Sequence, residues 1–466
     1  MSATAFDRAR APEPSPPREF HFPTLHRETL DNGLRVIVAR RSAAPLVSAR
    51  LVIGAGGDCD APERSGLACL ATDLLDEGAG SRTTVELAEE VARLGAFLGS
   101  GADWDASYVW LDLLGEHVAR GFDLLADVVM HPRFDPAEFE RIRDDQLTSI
   151  LQQRDQPAAI AGKWLVRCLY GASRYGIQLI GDEDTVGAMA LGDLESFYRR
   201  NFVPAEASVI VTGAIDPSEA FSMVERRFGG WRLPGKADRP VPQQGEIGST
   251  RVLMVDRRGS VQSEIRVGHD GLPRGSEDYF PVVVMNSLLG EIFNSRIMLN
   301  LREKNGFTYG ARSRFAFRRL GGPFSVATAV RNEVTASAVK EIMIELERIR
   351  SGDVSAEELE GTRNFLMGVF PSTVQTANDL ANRIQEMELY DLPQDYFDRY
   401  RERIAAVTAD DVTRVARSSI HPDRAAIVVV GEAAEVRDSL ESLGIPLTLY
   451  DQQDSPGGAR QDRESR

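Results

Sequence analysis

Cysteine and histidine are scarce in this 466-residue chain, which carries three of the first and six of the second. Cys59, Cys69 and Cys168 are too few and too irregularly spaced for a disulfide framework, and no CxxC pair suggests a zinc knuckle. The thiols therefore read as reduced, in a reducing compartment. A basic excess is also missing: 54 Lys and Arg stand against 70 Asp and Glu, a formal net charge of −16. That balance repels phosphate backbones, and no basic stripe with interleaved aromatics overrides it, which excludes nucleic acid as the main partner. The N-terminus MSATAFDRARAPEPSPPREF lacks the apolar core of a secretory signal, and no later stretch offers the roughly 20 apolar residues of a membrane span. The expectation is a cytoplasmic protein with no membrane partner.

What is present is length enough for roughly two to four domains with large cores. Segments 1–20 and 451–466 are polar, rich in Pro, Ser or Gly, and read as disordered. Leu233 to Thr250, LPGKADRPVPQQGEIGST, reads as an internal linker, with few apolar residues among its prolines and glycines. It separates halves of similar length, 21–232 and 251–450, and the halves echo each other. RVIVARRSAAPLVSARLVIGAGG from Arg35 resembles RVLMVDRRGSVQSEIRVGHDGL from Arg251; FDPAEFERIRDDQL from Phe134 resembles VSAEELEGTRNFLM from Val354; NFVPAEASVIVTG from Asn201 resembles SIHPDRAAIVVVG from Ser419. Three echoes in one order at nearly one offset argue for a duplicated domain.

Apolar alternation over Leu34 to Ala39 and Val47 to Ile53 predicts two strands, open to pairing as a hairpin. Ser65 to Glu77 predicts a helix whose Leu67, Leu70, Ala71, Leu74 and Leu75 face a core, stopped at Gly78. Thr83 and Glu86 form a capping box for a further helix, and strands follow at Ser107 to Leu114 and Ala207 to Thr212. The class expected is α+β: two homologous domains, each a mainly antiparallel sheet with helices on one face.

The other face of the Ser65 to Glu77 helix carries Cys69, Thr72, Asp73 and Asp76 at i, i+3, i+4 and i+7, the spacing at which helical side chains share a ligand. The run GGDCDAPERSGLACLATDLLDEGAGSRTTVELAEEVARLGA resembles the opening of the pitrilysin and mitochondrial-processing-peptidase family, the inverted-motif zinc peptidases. In active members the stretch after Gly-Leu-Ala is His-x-x-Glu-His, two zinc ligands around a general base. Here those positions hold Cys69, Thr72 and Asp73, and the family's third ligand falls on Thr148 or Ser149, neither a carboxylate. The resemblance therefore implies no zinc bound by this chain.

The resemblance extends from about Leu25 to about Leu447 and includes NSLLGEIFNSRIMLNLREKNGFTYGARS from Asn286. It implies that Arg302 binds peptide backbone and that the Tyr309 hydroxyl donates to a developing oxyanion. A helix from about Asn294 is expected to end at Gly306, with a strand beginning over Phe307 to Ala311. Gly290 and Ser295-Arg296 occupy the place of a substrate-recognition loop, here short. His21 and His26 read as surface residues, and His269 as a residue without a neighbour in sequence to partner it.

In two-subunit members one chain supplies zinc and base, and its homologue the Arg/Tyr pair. By this resemblance the chain is a non-catalytic, peptide-binding subunit of a heterodimer whose zinc-motif partner holds the metal. The alternatives are a structural subunit of a larger complex, core-protein-like, and a stand-alone peptide-binding protein.

Overall fold

The computed structural model describes residues 19–233 and 247–451. The N-terminal segment expected to be disordered, apart from Glu19 and Phe20, lies outside them, as do the C-terminal segment beyond Asp451 and most of the linker.

Six strands form the first sheet: β1 (His26–Thr29), β2 (Arg35–Arg40), β3 (Leu46–Ile53), β4 (Phe97–Ala102), β5 (Ser107–Leu114) and β6 (Ala207–Gly213). Six form the second: β7 (Arg251–Asp256), β8 (Gln262–Asp270), β9 (Ala311–Phe315), β10 (Pro323–Arg331), β11 (Ala426–Gly431) and β12 (Leu447–Asp451). Their orders are β1-β2-β6-β3-β5-β4 and β12-β7-β11-β8-β10-β9. The segments that echo one another in sequence become matching elements, β2 with β7, β3 with β8 and β6 with β11. Each sheet is mixed but mainly antiparallel, with β6 parallel to β2 in the first and both β11 and β12 parallel to β7 in the second.

The hairpin reading of β2 and β3 is corrected here, because β6 lies between them, parallel to one and antiparallel to the other. Every residue of β6 is buried, and a continuous apolar run of this kind suits a central strand with ladders on both sides. The first-half helices include α1 (Leu67–Asp73), α2 (Thr84–Arg93), α3 (Val118–Met130), α4 (Pro136–Gln153) and α5 (Pro157–Tyr170). Thr83 caps α2 with the expected reciprocal box to Glu86. Leu70, Leu74, Phe122 and Leu125 bury one sheet face against Val36, Leu51, Leu111 and Val209.

The expectation of helices on one face only does not hold; each sheet is covered on its second face by a helix from the other half. From the first half, α5 lays Ile160, Trp164 and Leu165 on Leu253, Val255, Val428 and Val430 of the second sheet. In return the helix Ala377–Leu389 sets Leu380, Ala381 and Ile384 in one cluster with Ile37, Val52 and Ile210 of the first. Thr212 Oγ1 donates to Ala377 O at 2.7 Å across this seam. Nearby, buried Asp105 accepts from the Arg319 amide at 3.0 Å and the Tyr390 hydroxyl at 2.8 Å. Arg318 stacks over Trp104 at 4.3 Å.

The run Tyr279–Lys304 is long and apolar enough to cross a membrane by length and composition, contrary to the reading that no such stretch exists. It is mostly buried within the second half and broken at Ile292–Ser295, as a core helix of a packed domain would be. His269, expected to lack a partner, has two: its Nδ1 donates to Asp270 O at 2.7 Å and its Nε2 accepts the His421 amide at 3.1 Å. Burial drives its pKa down to about 3. His21 and His26 are exposed, as read.

Candidate functional site

Of the residues at the positions of the zinc motif, Cys69, Asp73 and Ser149 meet in one recess of about 460 Å³ beside β4, lined also by Glu77, Gly101 and Arg141 among others, and Thr72 is not part of its lining. Of the two candidates on α4, Ser149 reaches the recess and Thr148 is not part of its lining. The floor is α1, shorter than the helix expected from Ser65 to Glu77. It starts after Gly66, which at φ +95° adopts a left-handed backbone and leaves no room for a Cβ, since that atom would lie 2.5 Å from Ile180 O. Glycine cannot cap a helix with a side chain, so Asp60 does so from a distance, accepting the Gly66 and Ala68 amides at 3.1 and 3.0 Å. Buried Arg174 pairs with the same carboxylate at 3.1 Å. Neither Asp60 nor Arg174 was singled out from sequence, since nothing local links two residues that far apart.

Each residue at a motif position is occupied with its own surroundings. Cys69 is buried, its thiol pushed up to about 12 by burial and by Asp73. Thr72 is fully buried and donates back to Ala68 O at 2.6 Å, with Ser107 Oγ at 3.3 Å. Ser149 Oγ donates to Asp145 O at 3.0 Å. Asp73 keeps an exposed side, yet desolvation of its carboxyl, with Asp76 and Glu77 beside it, raises it to about 7. Arg141 spans Glu77 at 2.5 Å and Glu138 at 2.8 Å on the rim. Zinc takes thiolate, imidazole or carboxylate donors in a set of three or four. One buried thiol, two hydroxyls turned onto their own helices and a single carboxylate do not fit it. Among the described residues no group of three or more His, Cys, Asp and Glu is placed to hold a metal.

In the second half Arg302 lies in the π-helical stretch Leu299–Lys304, which ends before Gly306. The strand expected over Phe307 to Ala311 begins only at Ala311, because Thr308 Oγ1 accepts the Gly310 amide and donates to Ala329 O, holding a turn there. Tyr309 on that turn is 94% exposed. The Arg302 guanidinium lies 4.8 Å from the Phe293 ring centre, and its Nε is 3.3 Å from Glu303. Phe293 escaped notice in the sequence, where it reads as one more apolar residue of a helical run. Neither Arg302 nor Tyr309 lines the recess beside α1.

Residues 35–183 match the family described as insulinase (peptidase family M16), and residues 188–366 match the peptidase M16 inactive domain. The chain belongs to peptidase family M16. Among curated proteins it is similar to the uncharacterized zinc protease YmxG of Bacillus subtilis, 22% identical across 87% of this chain and 98% of that one. It is also similar to the mitochondrial-processing peptidase subunit beta of Blastocladiella emersonii, 21% identical across 88% and 89%. A crystal structure titled peptidase M16 inactive domain, from Pseudomonas fluorescens, superposes with a TM-score of 0.82 at 24% identity, covering 88% of this chain and 98% of that one. A Helicobacter pylori protease gives 0.82 at 18% identity, covering 88% and 99%. The M16 fold is thus common to this chain and those neighbours, and the M16 inactive-domain match spans Arg302 and Tyr309.

Proposed function

We propose that this M16 chain is the non-catalytic, peptide-binding subunit of a heterodimeric zinc metalloendopeptidase. The observation that carries the reading is an asymmetry: Cys69, Asp73 and Ser149 in the recess beside α1, with Thr72 buried behind it, stand in place of a zinc donor set, while Arg302 and Tyr309 keep exposed polar ends. The partner is a homologous subunit with an intact His-x-x-Glu-His that carries the zinc; this chain binds none. An extended peptide adds along a sheet edge, where main-chain groups are free to pair, and Arg302 takes a backbone carbonyl near the scissile bond. The Tyr309 hydroxyl then donates to the oxygen on which negative charge develops. A cytoplasmic setting suits the free thiols at Cys59, Cys69 and Cys168.

The experiment is to purify the chain alone and together with a zinc-motif homologue, and to measure metal content and peptide cleavage. The complex is expected to cleave and the isolated chain to do neither; stoichiometric zinc with cleavage by the isolated chain overturns the reading. In the complex, Tyr309→Phe is expected to lower kcat about 100-fold, in the range seen when one oxyanion donor is removed, without dissociating the subunits. Unchanged turnover removes Tyr309 from the mechanism.

A further inference from the structure

Phe293 is a large apolar side chain left 61% exposed beside an arginine. It stands in the break Ile292–Ser295, between the π-helical stretches Ser287–Glu291 and Leu299–Lys304. Such widened turns are rare and gather at functional sites, since they sacrifice regular hydrogen bonding to re-aim a segment. The break is pinned on both sides. Ahead of it, Ser313 Oγ donates to Asn286 Oδ1 at 2.8 Å, and Gly290 packs so closely that a Cβ would lie 2.7 Å from the Ser313 nitrogen. Behind it, Arg296 forks onto Glu358 at 2.7 and 2.8 Å. A loop clamped in this way offers Phe293 in one place.

The ring carries the Arg302 guanidinium at 4.8 Å, and the Glu303 carboxylate pairs with it, 3.3 Å from Nε. Among the described residues the Arg302 side chain has this ion pair and no hydrogen bond, so both Nη groups are free. An exposed arginine otherwise spreads over many rotamers, and a face contact with an aromatic ring together with one edge contact removes most of that freedom. We propose that Phe293 is a positioning residue: its ring and the Glu303 carboxylate hold the Arg302 guanidinium as a preformed fork whose Nη edge meets a carbonyl of an extended peptide. This rests on the reading that Arg302 binds peptide. A packing role alone would call for burial, which Phe293 lacks.

The test uses the full chain and fluorescein-labelled oxidised insulin B chain as the extended peptide, with binding read by anisotropy. Phe293→Ala is expected to weaken binding about two- to fivefold, the range of an exposed cation–π contact. Phe293→Tyr is expected to restore it, and Phe293→Ala to add nothing in an Arg302→Ala background. An additive double variant, or no weakening by Phe293→Ala while Arg302→Ala weakens, overturns the positioning role and leaves the peptide-binding reading standing. No weakening by Arg302→Ala overturns both. A second arm needs no peptide: the Arg302 Nε–H resonance in ¹⁵N-arginine-labelled protein is expected to lose its ring-current shift in Phe293→Ala and keep it in Phe293→Tyr. A resonance unmoved by Phe293→Ala also overturns the proposal.

Discussion

Asp60 supports α1 from outside the helix. It answers two amide groups that Gly66 cannot satisfy and pairs with Arg174 where water does not reach either charge. Removing one partner of a buried pair strands the other, so Asp60→Ala is expected to cost about 3–5 kcal/mol in urea unfolding. A cost below about 1 kcal/mol would show that water replaces the carboxylate there. Burial raises Asp60 as well, to about 6, but Asp73 has no cation beside it: its carboxyl is raised from its ordinary 3.8 to about 7 by desolvation and by Asp76 and Glu77. The folded chain therefore holds that proton more tightly than the unfolded chain, and stability falls as pH rises from about 4 to about 7. Asp73→Asn removes the titration. Its melting temperature is expected to match wild type near pH 4 and exceed it at pH 8; a variant less stable at pH 8 refutes this account.

At the scale of elements, the features visible along the chain are those set by neighbours in sequence. The Thr83 box, the amphipathic α1 and the alternation of β3 and β5 each depend on residues within a turn or two. Pairing between distant strands does not, and so β6 was not seen to separate β2 from β3. The same holds for α5, whose partner is the sheet of the other half. Trp164 is buried at the centre of that contact and meets Tyr450 at 4.4 Å between ring centres. Trp164→Ala leaves a cavity there, with an expected loss of about 3–5 kcal/mol by denaturant titration. Trp164→Phe is expected to recover most of it, because ring burial persists.

For the molecule as a whole, the exchanged helices make each half incomplete without the other. A sheet face with Ile37, Val52 and Ile210 needs Ala377–Leu389 to keep water off it. The Asp105, Arg319 and Tyr390 bonds close the same seam. A chain with a protease site placed within 234–246 is expected, once cut, to elute as one particle and to unfold in one transition. Separation of the fragments under native conditions would mean that the seam is weaker than its buried apolar surface implies.

Duplication, the α+β class, family membership and the degenerate positions Cys69, Thr72 and Asp73 were all readable from residue order, because each is a matter of local periodicity or of a short motif. The approach of Ser149 to that motif, the cap supplied by Asp60, the ring beneath Arg302 and the trade of helices between halves arose only on folding. Those contacts join residues far apart along the chain, and their energies depend on burial and direction, which exist only once the distant segments have packed.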